Sequence, residues 1–224
     1  MTFSVNPIIE YLAFGLLDPR RRQDKYLREY IEPESTFKII ITFPKSKESE
    51  FHEALRCMVL FGGLGSRSRN GFGSLHCSEF SDLAVRKGGE LKSFTSFSKE
   101  AKLFKDFNTY KTWEDALSEI GKGYREARLN LEERHIFDKR KWIAMPIESK
   151  SERNIPQFVR HGRHAKPYFL HVNKTPDGKY QGQILFLPYQ YRTGPNDDSN
   201  KIDEYLAVCN EMNLNIGMLM GGAQ

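Results

Sequence analysis

The chain has 224 residues, of which 39% are hydrophobic and 28% are charged. This composition predicts a folded globular protein with a hydrophobic core and excludes a chain that is disordered throughout. The 34 Lys and Arg residues outnumber the 29 Asp and Glu residues by five, a mild excess that suits a polyanionic partner without requiring one.

The first 34 residues carry no clear secondary-structure pattern. An apolar patch from Ile8 to Leu17 ends at Asp18-Pro19, and the run Arg20-Arg21-Arg22 follows. We interpret residues 1–34 as an N-terminal extension or as the remnant of an upstream domain. The arginine run is most simply a solvated charged segment.

Two predicted elements lead to a glycine-rich loop, and a third follows it. Thr36–Phe43 (TFKIIITF) is rich in Ile, Phe and Thr and ends before Pro44, which predicts a β-strand. Glu50–Phe61 has apolar residues at helical spacing and predicts an amphipathic helix that ends at Gly62-Gly63. Ser74–Phe80 is predicted as the second strand. This order is typical of the first half of a ferredoxin-like unit.

The second half of the chain predicts two helices and a hairpin. Thr112 begins a helix whose apolar stripe continues to about Arg134. Tyr168–Val172 and Tyr180–Leu187 predict two strands joined by a Pro-Asp-Gly turn. Ile202–Leu214 predicts the last helix.

These elements together predict an α+β protein with one ferredoxin-like (RRM-like) domain of the order β-α-β-β-α-β over residues 35–215. Helical insertions are expected at about residues 81–165, in addition to the β-hairpin. Residues 216–224, which are rich in Met and Gly, are predicted to form a flexible tail.

Three cysteines, Cys57, Cys77 and Cys209, lie far apart and form no CxxC pair, which argues against a disulfide framework and a zinc site. His161 and His164 are spaced as HxxH but lack the Glu of a zinc-protease motif, so we expect no metal and no cofactor. The sequence has no secretory signal and no apolar stretch of bilayer length. We therefore expect a cytoplasmic protein without membrane contact.

The segment that carries the predicted chemistry is the glycine-rich loop after the first predicted helix. It combines five glycines with two arginines and three small polar side chains: Gly62, Gly63, Gly65, Gly71 and Gly73, Arg67 and Arg69, and Ser66, Ser68 and Asn70. Glycines let backbone N–H groups converge on a phosphate, and guanidinium groups pair with its oxygens. We interpret the loop as a polyanion-binding loop, and a purely structural loop is the alternative.

Two nucleotide-binding motifs do not fit this loop. A P-loop and a dinucleotide fingerprint both follow a strand and open a helix, whereas this loop follows a helix and precedes a strand. The Lys of a P-loop is also missing. Phe72 stands beside the predicted second strand, and we expect it to anchor the loop in the core rather than to stack on a base.

The stretch FGGLGSRSRNGFGSL resembles the glycine-rich signature of the RAMP superfamily of CRISPR-associated proteins. Its form is most similar to the first subunit of the type III-B (Cmr) RNA-targeting complex. The segment Gly162–Phe169 and the hairpin after it are similar to the C-terminal part of that subunit. The resemblance covers residues 35–190, but the family usually has two such domains, and this chain has one glycine loop. The chain is thus interpreted as a fragment or a reduced member.

The resemblance implies a ferredoxin-like fold with long insertions and membership of a multisubunit complex that holds a guide RNA. It implies a noncatalytic subunit that contacts guide RNA and target RNA through the glycine loop and its two arginines. The expected partners are these RNAs and the other subunits of the Cmr complex.

Basic residues outside the loop form two further groups. Arg160, Arg163, His164 and Lys166 are predicted to follow an RNA backbone, with a solvated loop as the alternative. Lys139-Arg140-Lys141 beside Trp142 is better interpreted as a charged surface turn with a buried tryptophan.

Two other functions stay open. A metal-independent endoribonuclease that processes repeat RNA would use a histidine as general base, but no His has a spacing that identifies a partner. An assembly scaffold with little RNA contact is the third hypothesis.

Overall fold

The computed structural model describes residues 6–16, 29–77, 99–133, 136–144, 165–189 and 201–221. These residues form a mixed α+β structure, as the sequence predicts. The helices are α1 (Pro7–Leu12), α2 (Glu48–Phe61), α3 (Trp113–Leu129), α4 (Arg140–Ile143) and α5 (Ile202–Gly221), with a short 3-10 turn at Lys45–Lys47. The strands are β1 (Lys102–Phe104), β2 (Thr109–Tyr110), β3 (Tyr168–Lys174) and β4 (Tyr180–Phe186).

The sheet is antiparallel and is built around β4. The predicted hairpin is confirmed, because β3 pairs with β4 from Tyr168 opposite Phe186 to Lys174 opposite Tyr180. On the other edge of β4, Lys102 of β1 also lies opposite Phe186, and Tyr110 of β2 lies opposite Tyr180. Since β1 and β2 follow one edge in the same direction, they form one interrupted strand. The strand order is therefore β3, β4, then β1 with β2.

The two faces of the sheet are covered by different helices. Leu170 and Ile184 are opposite each other in the hairpin, fully buried, and part of the main core with α3 and α5. Gly182 lies on the same face, and a Cβ there would be 2.3 Å from Ile120 Cγ2 of α3. The helix thus packs directly on the backbone of β4. On the opposite face, Leu185 packs against the C-terminal end of α2.

Helix α3 is the central element of the core. Thr112 caps it, since its Oγ1 accepts a hydrogen bond of 3.2 Å from the backbone N of Asp115. Its buried residues recur at helical spacing and include Ala116, Leu117, Ile120, Tyr124 and Ala127. The helix predicted from Thr112 is therefore confirmed, and it ends at Leu129.

Helix α1 packs on α3 near Gly121. A Cβ at Gly121 would be 2.6 Å from Ile8 Cγ2 and 2.9 Å from Leu12 Cδ1, so the glycine permits the close approach of the two helices. Asn6 caps α1, and its Nδ2 also donates a 2.6 Å hydrogen bond to Ser118 Oγ. The sequence pattern predicts no element here, because six residues are too few to show a helical period.

The strand predicted at Thr36–Phe43 is wrong. The segment has no ladder partner in the described residues, and Ile40 is 81% exposed. The edge of β4 is taken by β1 and β2, and β3 is bonded instead to the glycine loop, through Leu170 N and Arg69 O at 3.1 Å. Strand propensity alone cannot form a strand when no sheet edge is available.

Two other predicted boundaries change. Ser74–Cys77, the described part of the second predicted strand, is not a strand, and residues 78–80 lie outside the described residues. The predicted tail is wrong as far as Gly221, because α5 continues through it. Ile216 is buried in the core beside Met212, one helical turn before it, so packing extends the helix. Across the described ranges, no helix is both long and apolar enough to cross a membrane.

Candidate nucleic-acid interface

The glycine-rich loop leaves α2 at Gly62 and is closed on itself by backbone hydrogen bonds. Leu64 N donates to Gly73 O at 2.9 Å and closes the base of the loop. Within it, Asn70 N donates to Arg67 O at 2.7 Å. The loop is therefore a structured turn of the backbone.

Two glycines are required by this backbone. Gly73 has a φ of +67°, and a Cβ there would lie 1.9 Å from Leu64 O, at the base of the loop. Gly71 has a φ of +87°, and a Cβ would lie 2.5 Å from Leu117 Cδ1 of α3. By contrast, Gly65 has a φ of +86° with open space around it. Gly71 and Gly73 are thus required by the packing of the loop, whereas Gly65 lies at an open surface.

The second half of the loop is held against β3 and α1. Val172 N donates to Ser74 Oγ at 3.2 Å, and Asn70 Nδ2 donates to Leu12 O at 2.7 Å. Phe72 packs against the main core, which confirms its predicted anchoring role. The loop therefore joins α1, α2 and β3.

His171 and Gln183 hold the end of α2 where the loop begins. His171 Nδ1 lies 2.7 Å from Gly62 O, and Gln183 Nε2 donates to Leu60 O. Both side chains are buried, and burial lowers the pKa of His171 to about 4. The imidazole is therefore neutral at pH 7 and donates from Nδ1 to the carbonyl. Sequence reasoning missed both residues, whose signal is a polar residue between apolar ones in each strand.

The two arginines of the loop have different surroundings. Arg69 is partly buried: its Nη1 donates to Lys166 O at 3.1 Å, and its Cζ lies 4.8 Å from the centroid of the Phe169 ring. Arg67 is exposed, and its guanidinium lies beside Gly15. Its φ of +62° is uncommon for a residue with a side chain. Arg67 is therefore the arginine that faces solvent.

Lys166 lies beneath the loop. Its Nζ donates to Asn70 Oδ1 at 2.7 Å and lies 4.3 Å from the centroid of the Tyr124 ring. Burial lowers the pKa of Lys166 well below its usual value, and the charges of Arg128, Arg69 and Arg67 lower it further. Arg128, on α3, is thus a member of the same cluster that the sequence did not single out.

Four cations meet at this point: Arg67, Arg69, Arg128 and Lys166, which we call the basic cluster. Within the described part of the chain, none of them forms an ion pair with an acidic side chain.

The other predicted basic run differs from the basic cluster, because each of its members has an acidic partner. Lys139 pairs with Glu211 at 2.8 Å, Arg140 with Glu132 at 2.9 Å, and Lys141 with Asp138 at 3.7 Å. Trp142 beside them is buried. This run therefore has a structural explanation that the basic cluster lacks.

Three predicted RNA-binding residues, Arg160, Arg163 and His164, lie outside the described residues. No group of three or more His, Cys, Asp or Glu side chains is placed to hold a metal ion among the residues that are described. Comparisons with protein families, with curated proteins and with solved structures found no match.

Proposed function

We propose that this protein binds RNA through phosphate contacts made by the glycine–arginine loop. The observation that carries the proposal is the basic cluster, because none of its four side chains forms an ion pair with an acidic side chain in the described residues. A polyanion would supply the missing negative charge.

The exposed half of the loop suits contact with a phosphate backbone. Gly65, Ser66 and Arg67 are exposed, so a hydroxyl group and a guanidinium are available on the same turn. Such contacts recognise phosphate and sugar rather than base edges. Binding should therefore depend strongly on salt and weakly on sequence.

We also infer a ferredoxin-like (RRM-like) RAMP domain. The described elements run strand (β1 with β2), α3, β3, β4, α5, which corresponds to five of the six elements of a β-α-β-β-α-β unit. Tyr168 Oη donates to Asn213 Oδ1 of α5 at 3.0 Å, so α5 packs on the same face as α3. In this arrangement the glycine loop precedes the unit in the chain and lies along β3.

The resemblance to the RAMP superfamily extends this proposal to a biological role. We propose a noncatalytic, cytoplasmic subunit of a type III-B CRISPR effector complex, which contacts guide RNA, target RNA and the other Cmr subunits. The shared signature, FGGLGSRSRNGFGSL, includes two members of the basic cluster, Arg67 and Arg69.

Filter binding of single-stranded RNA across a salt series tests the loop. Arg67→Ala should weaken binding and flatten the logarithmic salt dependence by about 0.7, the value for one phosphate contact to a single strand. Combining it with Arg69→Ala should about double this change. The matched control is Lys179→Ala, which removes one positive charge at the β3–β4 turn, where Lys179 pairs with Asp177 at 2.8 Å.

An unchanged salt dependence in a folded Arg67→Ala protein would remove the loop from the RNA interface. Incubation with repeat RNA in EDTA addresses the noncatalytic assignment, since discrete cleavage that a single His→Ala change abolishes would identify an endoribonuclease. Assembly with sibling subunits without any ultraviolet crosslink to RNA would instead favour a scaffold.

A further inference from the structure

The inner side of the basic cluster, where Lys166 and Arg128 meet beneath the loop, is a site of its own. We infer that it binds a phosphate dianion, either the monoester at the end of a nucleic acid or inorganic phosphate. The assignment to an RNA end rests on the proposed function, whereas the phosphate site itself does not.

Three elements contribute residues to this site. Asn70 of the loop joins two of them, because its Nδ2 donates to Leu12 O at the end of α1 and its Oδ1 accepts from Lys166 Nζ, both at 2.7 Å. From α3, the Tyr124 ring lies under Lys166 Nζ, and Arg128 Nη1 lies 3.5 Å from Tyr11 Oη of α1. The cations are thus placed between the loop, α1 and α3.

Within the described residues, neither Lys166 nor Arg128 forms an ion pair. Burial and the positive charges of Arg128, Arg69 and Arg67 lower the pKa of Lys166, and no carboxylate opposes this effect. Glu132 acts on Arg128, but its carboxylate is already bonded to Arg140 Nε at 2.9 Å. Burial and the neighbouring positive charges favour the neutral form of Lys166, and an anion at the site would favour its charged form. The described part of the chain does not supply one.

Arg128 also has a hydrogen-bond donor that no described residue accepts from. Its Nε is buried and has no hydrogen-bond partner in the described residues. A buried donor without a partner is rare in folded proteins and marks a place for a missing acceptor. An anion beside Lys166 Nζ and Arg128 Nε would satisfy this donor and both charges together.

The chemistry favours a monoester over a phosphodiester. A monoester carries close to two negative charges at neutral pH and has three terminal oxygens, whereas a diester carries one charge. A diester also continues as a chain on both sides, whereas an end group needs room on one side only.

Thermal unfolding with inorganic phosphate tests the site directly. At constant ionic strength, replacing chloride by phosphate should raise the unfolding temperature of the natural protein by several degrees. Lys166→Met and Arg128→Met should each lose this response, since each removes a cation and keeps an unbranched chain. The control is Lys122→Met, which changes an exposed lysine on the same helix as Arg128.

A second arm uses three RNAs of one sequence that end in a 5′-phosphate, a 3′-phosphate or hydroxyl groups only. One of the phosphorylated RNAs should bind at least about tenfold more tightly than the hydroxyl form, the scale of one charged hydrogen bond. Lys166→Met should abolish this preference, whereas Arg67→Ala should weaken all three RNAs alike.

The outcomes separate the two proposals. If phosphate does not raise the unfolding temperature of the natural protein, or raises that of Lys166→Met equally, the inner site is not an anion site. Equal binding of all three RNAs, together with a phosphate response that depends on Lys166, assigns the site to free phosphate. If no RNA binds, the proposed function fails, while the phosphate response still decides the inner site.

Discussion

The two halves of the glycine loop have similar composition but different surroundings. The inner half, Arg69–Ser74, is bonded to β3 and α1 and packs Phe72 into the core. The outer half, Leu64–Ser68, presents Gly65, Ser66 and Arg67 to solvent. Glycine, arginine and a small polar residue occur in both halves. Composition therefore does not distinguish the residues that build the loop from those that can reach a ligand.

The glycines show this difference most directly. Gly73 and Gly71 have positive φ angles and no room for a Cβ, whereas Gly65 has a positive φ angle and open space. A glycine in tight packing serves the fold, and a glycine in open space leaves room for a partner to approach the backbone. Among the glycines, packing thus accounts for Gly71 and Gly73, and the proposed phosphate contact is left to Gly65.

The largest expected effect is on stability and comes from Gly73→Ala. Its Cβ would fall 1.9 Å from Leu64 O at a φ of +67°, so left-handed strain and steric clash add. We expect a loss of about 4 kcal/mol in the free energy of unfolding, measured by urea denaturation. The matched change Gly65→Ala meets no neighbour and should cost about 1 kcal/mol, the left-handed strain alone. Equal losses would show that the two halves are not packed differently.

A smaller effect is expected from pH, through the contact of His171 with the end of α2, where the loop begins. The pKa of His171 is lowered from 6.5 to about 4, so the folded state resists protonation and the unfolded state does not. Its contribution is complete above pH 6.5 and is lost as the pH falls from 6.5 toward 4. We expect this one group to remove about 3 kcal/mol between pH 7 and pH 4.

His171→Gln is the control for this pH effect, because its amide does not titrate and can still donate to Gly62 O. Urea denaturation of both proteins from pH 7 to pH 4 isolates the contribution of His171, since other titrating groups cancel in the difference. If both proteins lose stability in parallel over this range, then the pKa of His171 is not lowered in the folded protein.

The sequence predicted the elements whose ends are marked by capping or turn residues. Thr112 caps α3, and the turn between β3 and β4 has Gly178 at a φ of +78° with Thr175 Oγ1 bonded to Asp177 at 2.6 Å. Thr36–Phe43 has the strongest strand composition but no partner in the described residues, whereas β1 and β2 have three and two residues and form against β4. Pairing over long sequence distances decides strands, and composition does not record it.

The candidate site, like the fold, was predictable only where the signal is local in the sequence. The loop and Lys166 stand out by composition, but Arg128 is one of several charged residues of the amphipathic helix α3, and His171 is a single polar residue in an apolar stretch of β3. They reach the loop only because α3 and β3 pack beside it. The usable signal is positional: Arg128 stands four residues after Tyr124, on the buried stripe of α3, where a charged residue needs an explanation.

The smallest expected stability effect, and the sharpest separation of the two halves, comes from Arg67→Gly. Arg67 has a φ of +62°, a conformation that favours glycine, and no ion pair in the described residues. Replacing it should raise the free energy of unfolding by about 0.5–1 kcal/mol, because the left-handed strain is relieved. The same change should weaken RNA binding at low salt. A protein that becomes more stable while it loses RNA affinity would identify Arg67 as a residue kept for its ligand.

Arg69→Gly is the matched change in the inner half, because it also removes a guanidinium. Arg69 donates to Lys166 O at 3.1 Å and stacks on Phe169, so this variant should lose stability as well as RNA affinity. Urea denaturation and filter binding of the two variants therefore test the division of the loop. If Arg67→Gly also lowers stability, then its side chain has a structural role and the outer half is not available to RNA.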